Sequence, residues 1–500
     1  MPTQTTPRRP FEFRLDERLG TPLYRQLYER IRGAILAGQL SPGTRLPSTR
    51  ALAAELGVSR STAVLAYEQL LSEGYLASRV GQGTEVSRQI PSALFDERSR
   101  SARRSPGDRQ DSPPARTAKR IRELAAVPSP NALEGQPGGR PFLAGQPALD
   151  LFPYDLWARL VARKAREALP LHAYYQSPAG YGPLREAIAA HIAISRGVRC
   201  TPAQIIITSG TQGALDLAAR VLLEPGDAVW LENPGYFGAL GALSLAGARL
   251  VPVPVDREGL DVEAGIERCP DARLVAATPS HHFPTGVTMS LRRRLALLEW
   301  AERRAAWILE DDYDSEYRFS GRPLEALQAL DRTGRVIYIG SFSKMLLPSL
   351  RLGYLVAPPE LVEPLLATRR SIDVHPPILE QLALADFIQE GHFVRHLRRM
   401  RQHYERRRNC LLRELDEHLS DLLAVYTPDV GMQLVGWLPP GVDDHRATGL
   451  AAGAGIAVVP VSAFSLEPLP RGGLIFGFAG IAEDDIRRGV RTLAGALERL

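Results

Sequence analysis

The chain has 500 residues, more than the roughly 250–300 at which one hydrophobic core stops growing, so we expect at least two domains. Its 44% hydrophobic and 23% charged residues are typical of a globular protein and exclude a fibrous or wholly disordered one. The net charge of +5 is concentrated near the start, since residues 1–125 hold 21 Lys and Arg against 13 Asp and Glu. This asymmetry favours a nucleic-acid partner, although an Arg-rich solvated tail has the same composition.

The sequence carries no targeting or metal-binding signal. Residues 1–10 are polar and basic, and no window approaches about 18 uninterrupted apolar residues. We therefore expect neither a secretory signal nor a membrane span, and we predict a cytoplasmic location. The three cysteines, Cys200, Cys269 and Cys410, lie far apart and form no CxxC pair. Their spacing predicts thiols in a reducing compartment and argues against disulfides and a metal site.

The first predicted domain, residues 1–88, contains three helices and a hairpin. Apolar residues at helical spacing predict a helix over Pro22–Ala37. A second helix follows Leu46-Pro47-Ser48, and Ser59 is predicted to cap a third. Two short strand-like runs then flank Gly81-Gln82-Gly83, which predicts a hairpin. This order is that of a winged helix–turn–helix domain.

The start of the third helix is suited to DNA. Ser59-Arg60-Ser61-Thr62 is short, polar and cationic, so it can enter a major groove while its free N–H groups meet a phosphate. Arg45 and Arg50 flank this helix, and Arg79 lies on the predicted wing. A helical bundle without a DNA partner is the alternative interpretation.

The run from Gly38 to Thr84, which contains P-G-x-R-L-P-S-x-R and L-G-V-S-R-x-T, closely resembles the GntR-type winged helix. The resemblance implies that this domain binds double-stranded DNA. The DNA-facing positions that it implies are Arg45, Arg50, Ser59, Arg60, Thr62 and Gly81 or Gly83. Residues 89–140, rich in Pro, Ser, Arg and Gly, predict a flexible linker because they lack the apolar surface for a core.

The segment 141–500 alternates strand-like runs with helical stretches, which predicts an α/β domain with a mostly parallel sheet. Ligands of such sheets bind at the carboxyl ends of the strands. The predicted strands are Ile205–Thr208, Ala228–Leu231, Leu274–Ala277, Trp307–Leu309, Val336–Ile339 and Leu355–Ala357.

Four of these strands are followed by residues that suit one phosphorylated heterocycle. Lys344, beside Ser341, Ser343 and Arg351, suits a Schiff base next to a phosphate. Asp311 follows the strand Trp307–Leu309 and can pair with a protonated ring nitrogen. Gly210, Thr211 and Gln212 open a helix whose amides form an anion site, and Tyr236 can stack on a flat ring. Taken singly, a surface lysine and an ordinary turn around Tyr236 are the simpler interpretations.

Together these motifs, with Tyr175–Arg185 and Pro284–Gly286, resemble the fold-type I, class I/II aminotransferases over about 340 residues. The resemblance implies pyridoxal 5′-phosphate as cofactor, an internal aldimine on Lys344, Asp311 at the pyridine nitrogen and Tyr313 at the ring hydroxyl. It also implies phosphate binding by Gly210, Thr211, Gln212, Ser341, Ser343 and Arg351. Tyr175 would reach the neighbouring subunit's phosphate, because these enzymes build their sites across a dimer interface.

A GntR-type domain fused to an aminotransferase-like domain is the architecture of the MocR family of regulators. The sequence departs from the enzymes at two positions. Phe283 stands where the enzymes have an asparagine before P-T-G, so that contact is missing unless His281 or His282 substitutes. Ile475 stands where the enzymes have an arginine that binds the substrate carboxylate, although Arg471 can reach in from the preceding loop. We therefore predict a homodimeric, non-enzymatic regulator that senses pyridoxal phosphate itself and resembles the subgroup controlling its synthesis. The alternatives are a regulator that responds to an amine or amino acid as external aldimine, and a working aminotransferase.

Overall fold

The computed structural model describes residues 15–16, 19–79, 83–89, 118, 121–122, 142–321 and 324–500. Its residues divide into two compact units, one within 1–116 and one within 117–500. We call the described residues 15–89 the head and the described residues 142–500 the body. The predicted linker, residues 89–140, lies almost wholly outside the described residues, so its boundaries remain predictions.

The head has the predicted winged helix–turn–helix order. Its elements are α1 (Leu23–Leu36), β1 (Arg45–Leu46), α2 (Thr49–Leu56), α3 (Arg60–Ser72), β2 (Leu76–Arg79) and β3 (Gly83–Val86). The three strands form an antiparallel sheet in the order β1-β3-β2. The tip of the wing, residues 80–82, lies outside the described part of the chain.

Local chemistry sets the ends of the two helices of the helix–turn–helix. Ser48 caps α2 by accepting from the Ala51 amide, and Ser59 caps α3 by accepting from the Thr62 amide, both at 3.2 Å. Gly57 ends α2 with φ +69, a conformation that costs glycine little. The helices then share one core, formed by buried Leu27, Ile31, Ile35, Leu52, Ala63, Ala66, Tyr67 and Leu70.

The body is built on an eight-stranded sheet in the order β4-β11-β10-β9-β8-β5-β6-β7. Neighbours from β10 through β6 are parallel, whereas β11 and β7 pair antiparallel. The strands are β4 (Ile205–Thr208), β5 (Ala228–Asn233), β6 (Arg249–Asp256), β7 (Gly259–Leu260), β8 (Leu274–Ala277), β9 (Trp307–Asp312), β10 (Val336–Ser341) and β11 (Gly353–Val356).

Helices cover the sheet because its strands are apolar on both faces. Ile205 and Ile207 of β4 point into one core and Ile206 into another, as the alternation of a strand requires. The helices of the body are α4 (Tyr154–Glu167), α5 (Gly182–Arg196), α6 (Gly210–Leu222), α7 (Phe237–Leu245), α8 (Val262–Arg268), α9 (Leu291–Arg304), α10 (Leu327–Leu330), α11 (Pro359–Ile372), α12 (Leu379–Gln389), α13 (His392–Leu419), α14 (Asp444–Gly453) and α15 (Glu483–Leu497).

A second, antiparallel sheet near the end of the chain was not distinguished by the sequence pattern. It has the order β12-β13-β15-β14, with β12 (Ala424–Val425), β13 (Gln433–Trp437), β14 (Val459–Pro460) and β15 (Gly473–Gly477). The strand bounds also differ from prediction. β9 and β10 extend to Asp312 and Ser341, and β11 begins at Gly353 rather than Leu355. Within the described residues, no helix is long and apolar enough to cross a membrane.

Candidate functional site

The body contains a cavity of about 690 Å³ at the carboxyl ends of its parallel strands. This volume is within the range of small-molecule sites. Nine of the predicted cofactor residues line it: Thr211, Gln212, Tyr236, Asp311, Tyr313, Ser341, Ser343, Lys344 and Arg351. Gly210 lies behind Arg351 rather than in the wall, and Tyr175 lies outside the cavity with 86% of its surface exposed.

The alternation of β9 separates three consecutive carboxylates. Glu310 accepts from the Leu327 and Gln328 amides, and Asp312 pairs with Arg196, while Asp311 faces the cavity. Asp311 Oδ1 is buried, and none of the described residues donates a hydrogen bond to it. Burial, and then the nearby carboxylate of Asp312, raise the pKa of Asp311 to about 8. A cation beside Asp311 would stabilise its charged form, so this carboxylate fits a protonated ring nitrogen.

Asp312 is held by a buried ion pair. Arg196 Nε lies 2.7 Å from Asp312 Oδ2, and the Tyr338 hydroxyl donates to the same oxygen at 2.7 Å. Arg196 also donates to Ser280 Oγ at 2.6 Å. The pair therefore ties α5 to β9 directly behind the residue that faces the cavity.

Lys344 contacts the segment that enters the body. Its Nζ donates to the Gly145 carbonyl oxygen at 2.9 Å. Gly145 has φ +71, a conformation that favours glycine, and a Cβ atom there would lie 2.8 Å from Nζ, so a side chain at this position would displace the lysine amine. The same segment is anchored to β15, because the Gly477 amide donates to the Phe142 carbonyl at 2.9 Å.

Arg351 and the start of α6 form the cationic end of the cavity. Arg351 donates to the Ser209 carbonyl at 2.8 Å and has φ +50, an uncommon backbone conformation outside glycine. A Cβ on Gly210, φ +76, would lie 3.3 Å from Arg351 Nη1. The Ser343 hydroxyl is buried, and within the described part of the chain it has no hydrogen-bond partner. An arginine, a helix N-terminus and an unpaired hydroxyl together fit a phosphate.

Tyr313 is positioned by His281. The Tyr313 hydroxyl lies 3.0 Å from His281 Nδ1, which lies 2.8 Å from Asp314 Oδ1. Phe283 lines the cavity, whereas neither His281 nor His282 is part of the wall. Neither histidine, which the sequence left open as a substitute for the enzymes' asparagine, therefore contacts the cavity directly. His281 acts on the cavity through Tyr313.

The carboxylate clamp of the enzymes has no substitute among the described lining residues. Ile475 is fully buried in an apolar cluster with Val435, Val459 and Val461. Arg471, which the sequence suggested as a replacement, stacks on the Trp437 ring at 4.8 Å and lines a different cavity. Arg471, whose reach into this cavity the sequence left open, does not line it.

Sequence reasoning missed several residues of the wall. Gly145, Gln146 and Gln433 line the cavity, and the amide nitrogen of Gln433 is buried without a partner. They are distant in sequence from the strand ends. Only the G-x-P spacing after Phe142 and the polar Gln433 within an apolar strand offered a signal.

In the head, Arg45, Arg50, Ser59 and Arg60 are exposed and Thr62 is half-buried at the start of α3. Within the described residues no carboxylate pairs with the three arginines, so their charges face solvent. Gly83 is exposed at the start of β3. The side chain of Arg79 and all of Gly81 lie outside the described part, so their predicted contacts stay predictions.

Family comparisons cover both units. Residues 23–86 match the model of the bacterial regulatory proteins of the gntR family, and residues 153–493 match the model of aminotransferase class I and II. The crystal structure of LysN, the alpha-aminoadipate aminotransferase of Thermus thermophilus, superposes with TM-score 0.67 at 34% identity, covering 77% of this chain and 95% of LysN. The fold and cavity thus define a winged-helix regulator with an aminotransferase class I/II body, a fold family that depends on pyridoxal phosphate.

Full-length relatives give the family. The chain is 43% identical over 482 residues to the probable rhizopine catabolism regulatory protein MocR of Rhizobium meliloti, covering 96% of this chain and 95% of that protein. It is 38% identical over 401 residues to the transcriptional regulator TauR of Rhodobacter capsulatus, covering 79% and 80%. The chain belongs to the MocR type of transcriptional regulators.

Proposed function

We propose that this regulator binds pyridoxal 5′-phosphate in the 690 Å³ cavity and that occupation of the cavity changes its affinity for DNA. The observation that carries the proposal is a buried Asp311 oxygen without a hydrogen-bond partner among the described residues, in the same cavity as Lys344 and Arg351. We further propose a cytoplasmic homodimer in which Tyr175 of each subunit completes the neighbouring site. Regulation rather than transamination is its role, because the carboxylate clamp is replaced by Ile475.

Each wall residue would have a defined task. When bound, pyridoxal phosphate supplies an aldehyde that condenses with a primary amine, and an electron-accepting ring. Lys344 offers the amine and Asp311 holds the ring nitrogen protonated. Arg351, Ser343 and the start of α6 neutralise the phosphate, and Tyr236 and Phe283 exclude water from the ring.

The contact between Lys344 and Gly145 supports coupling to the head. An amine engaged by a ligand no longer keeps this donor for the Gly145 carbonyl, so occupation of the cavity would weaken one of the contacts that hold the segment from Phe142 onward. That segment follows directly, in sequence, the predicted linker to the DNA-binding unit. A ligand shifts such an equilibrium only by its differential affinity for the two arrangements.

A second candidate is an amino compound that binds beside the cofactor. It is favoured by the part of the cavity wall that none of the predicted cofactor contacts uses, which includes Gln433, Val459 and Phe464. In this case the cofactor is resident and the amino compound is the signal.

Two measurements test the proposal. Borohydride reduction of the loaded protein, followed by peptide mapping, should place the pyridoxyl mass on Lys344; the chain has three lysines, so the assignment is unambiguous. Lys344→Ala should lose the mark and the absorbance band, and Lys164→Arg, which keeps the ion pair with Asp386, should keep both. Duplex DNA selected from a random pool should then bind with different affinity with and without pyridoxal phosphate. Equal affinities would reject the sensing role, and a colourless protein would reject the cofactor.

A further inference from the structure

The walls of the cavity beyond the predicted cofactor contacts carry no charge that suits a carboxylate. Among the described lining residues the cations are Lys344 and Arg351, and both have tasks toward the cofactor. Ile475 is 0% exposed, between Val435 and Val459 of the paired strands. A carboxylate placed there would lose its hydration without gaining a cation, which is strongly unfavourable.

Gln433 is a polar residue of this region with an unused donor. It lies at the start of β13, paired with Gly477, and is 1% exposed. None of the described residues accepts a hydrogen bond from its amide nitrogen, although a buried amide normally has a partner. The same cavity is lined by apolar Val459 and Phe464 and by the uncharged polar side chain of Gln146. An unsatisfied amide donor in a wall without a further cation suits a neutral hydroxyl or carbonyl oxygen.

We propose that the cavity recognises a primary amine that bears an uncharged oxygen, such as a hydroxyl, and no carboxylate, with Gln433 as its specificity-determining contact. The inference rests on the proposed function, because it assumes the resident cofactor. It selects one class from the amines and amino acids that the sequence left open, and it assigns Gln433 a task.

Three four-carbon amines separate the contributions. Protein loaded with pyridoxal phosphate is titrated with 4-amino-1-butanol, 4-aminobutyrate and n-butylamine, and binding is followed by calorimetry and by the change in cofactor absorbance. We expect 4-amino-1-butanol to bind at least about tenfold more tightly than 4-aminobutyrate, since the carboxylate has no cation. We expect it to bind roughly three- to tenfold more tightly than n-butylamine, the usual contribution of one hydrogen bond.

Substitution of Gln433 tests the contact itself. Gln433→Leu should remove the advantage of 4-amino-1-butanol over n-butylamine and leave n-butylamine binding within about twofold. Gln389→Leu, on the exposed end of α12, should keep the wild-type order. Unchanged cofactor absorbance in both variants shows that the body is folded. Equal or tighter binding of 4-aminobutyrate, or an advantage that survives in Gln433→Leu, would overturn this inference. A protein that fails to bind pyridoxal phosphate would instead overturn the proposed function.

Discussion

The head and the body present their functional polar groups in opposite ways. In the head, Arg45, Arg50 and Arg60 are exposed, and no described carboxylate pairs with them. In the body, Asp311 and Ser343 are buried, and each has an oxygen without a partner among the residues that the structure describes. A hydrated charge costs the fold little, whereas a buried unsatisfied group costs it stability. Substitutions in the head should therefore change DNA binding alone, and substitutions in the cavity should change ligand binding and stability together.

The largest effect should come from the buried pair behind the cavity. Arg196→Met leaves the carboxylate of Asp312 buried without a cation and should destabilise the body by about 3–5 kcal/mol. All five tryptophans of the chain follow residue 150, so their fluorescence in urea reports the body alone. Arg220→Met removes an exposed pair with Asp216 and should cost less than about 0.5 kcal/mol. An equal loss of stability in Arg196→Met and Arg220→Met would contradict the expectation that buried charges matter more to the fold than exposed ones.

Asp311 should show that a residue placed to bind a ligand can destabilise the unloaded protein. Its pKa is raised to about 8 in the folded chain, above an unfolded value of about 3.9, so the fold prefers the protonated form. The unloaded protein should therefore lose stability through this group as the pH rises from about 4 to 8. Asp311→Asn should abolish this part of the pH dependence and raise stability at pH 8 by about 1–3 kcal/mol.

The measurement is urea denaturation of the unloaded protein at pH 5 and pH 8, with pyridoxal phosphate affinity measured in parallel. Affinity should fall in Asp311→Asn as stability rises. Asp421→Asn, at an exposed position, is the control and should change neither. If Asp311→Asn and the wild type lose the same stability between pH 5 and pH 8, the buried charge of Asp311 does not destabilise the folded protein.

Arg60 should give the opposite pattern. Arg60→Ala should weaken DNA binding about tenfold and lower the salt dependence by about one released ion, with stability unchanged within about 0.5 kcal/mol. Fluorescence anisotropy on a labelled duplex at several salt concentrations measures both. Arg30→Ala, an equal loss of charge on the exposed face of α1, should have the smaller effect on DNA binding. An equal loss in both variants would mean that net charge, and not α3, governs the contact.

Ser59 should be a small exception to the rule that substitutions in the head leave stability unchanged. It is predicted to face DNA, yet its hydroxyl accepts from the Thr62 amide and so caps α3. Ser59→Ala should destabilise the head by about 1 kcal/mol, whereas Ser59→Asn should preserve the cap. Hydrogen exchange of the α2 and α3 amides measures the difference. No change in exchange for Ser59→Ala would assign Ser59 to DNA contact alone.

The sequence was sufficient to predict functional residues that directly follow a strand or that cap a helix. The strand ends predicted Lys344, Asp311 and Tyr236 at one cavity because parallel strands place their carboxyl ends together. Ser59 was predicted as a cap because its hydroxyl acts within one turn. The strand order alone was therefore enough to predict that Asp311 and Lys344 line the same cavity.

Contacts between segments far apart in sequence were not predicted. Gly145 meets Lys344 across 199 positions, and Arg196 meets Asp312 across 116. The sequence left open that Arg471 reaches the cavity from the loop before β15, but Arg471 stacks on the Trp437 ring instead. The spacing of residues along the sequence predicts the strand on which a residue lies. It does not predict which residue far away in the sequence its side chain will contact.

The three adjacent carboxylates of β9 constrain where this chain can accept insertions and deletions. Loss of one residue of β9 before Glu310 would shift each acid by one place: Asp312 would face the cavity and lose Arg196, and Asp311 would take the place of Glu310 beside the Leu327 and Gln328 amides. The altered chain would look nearly unchanged by composition while both roles were lost. Length changes should therefore be confined to the loops that precede β9, and β9 itself should keep its length.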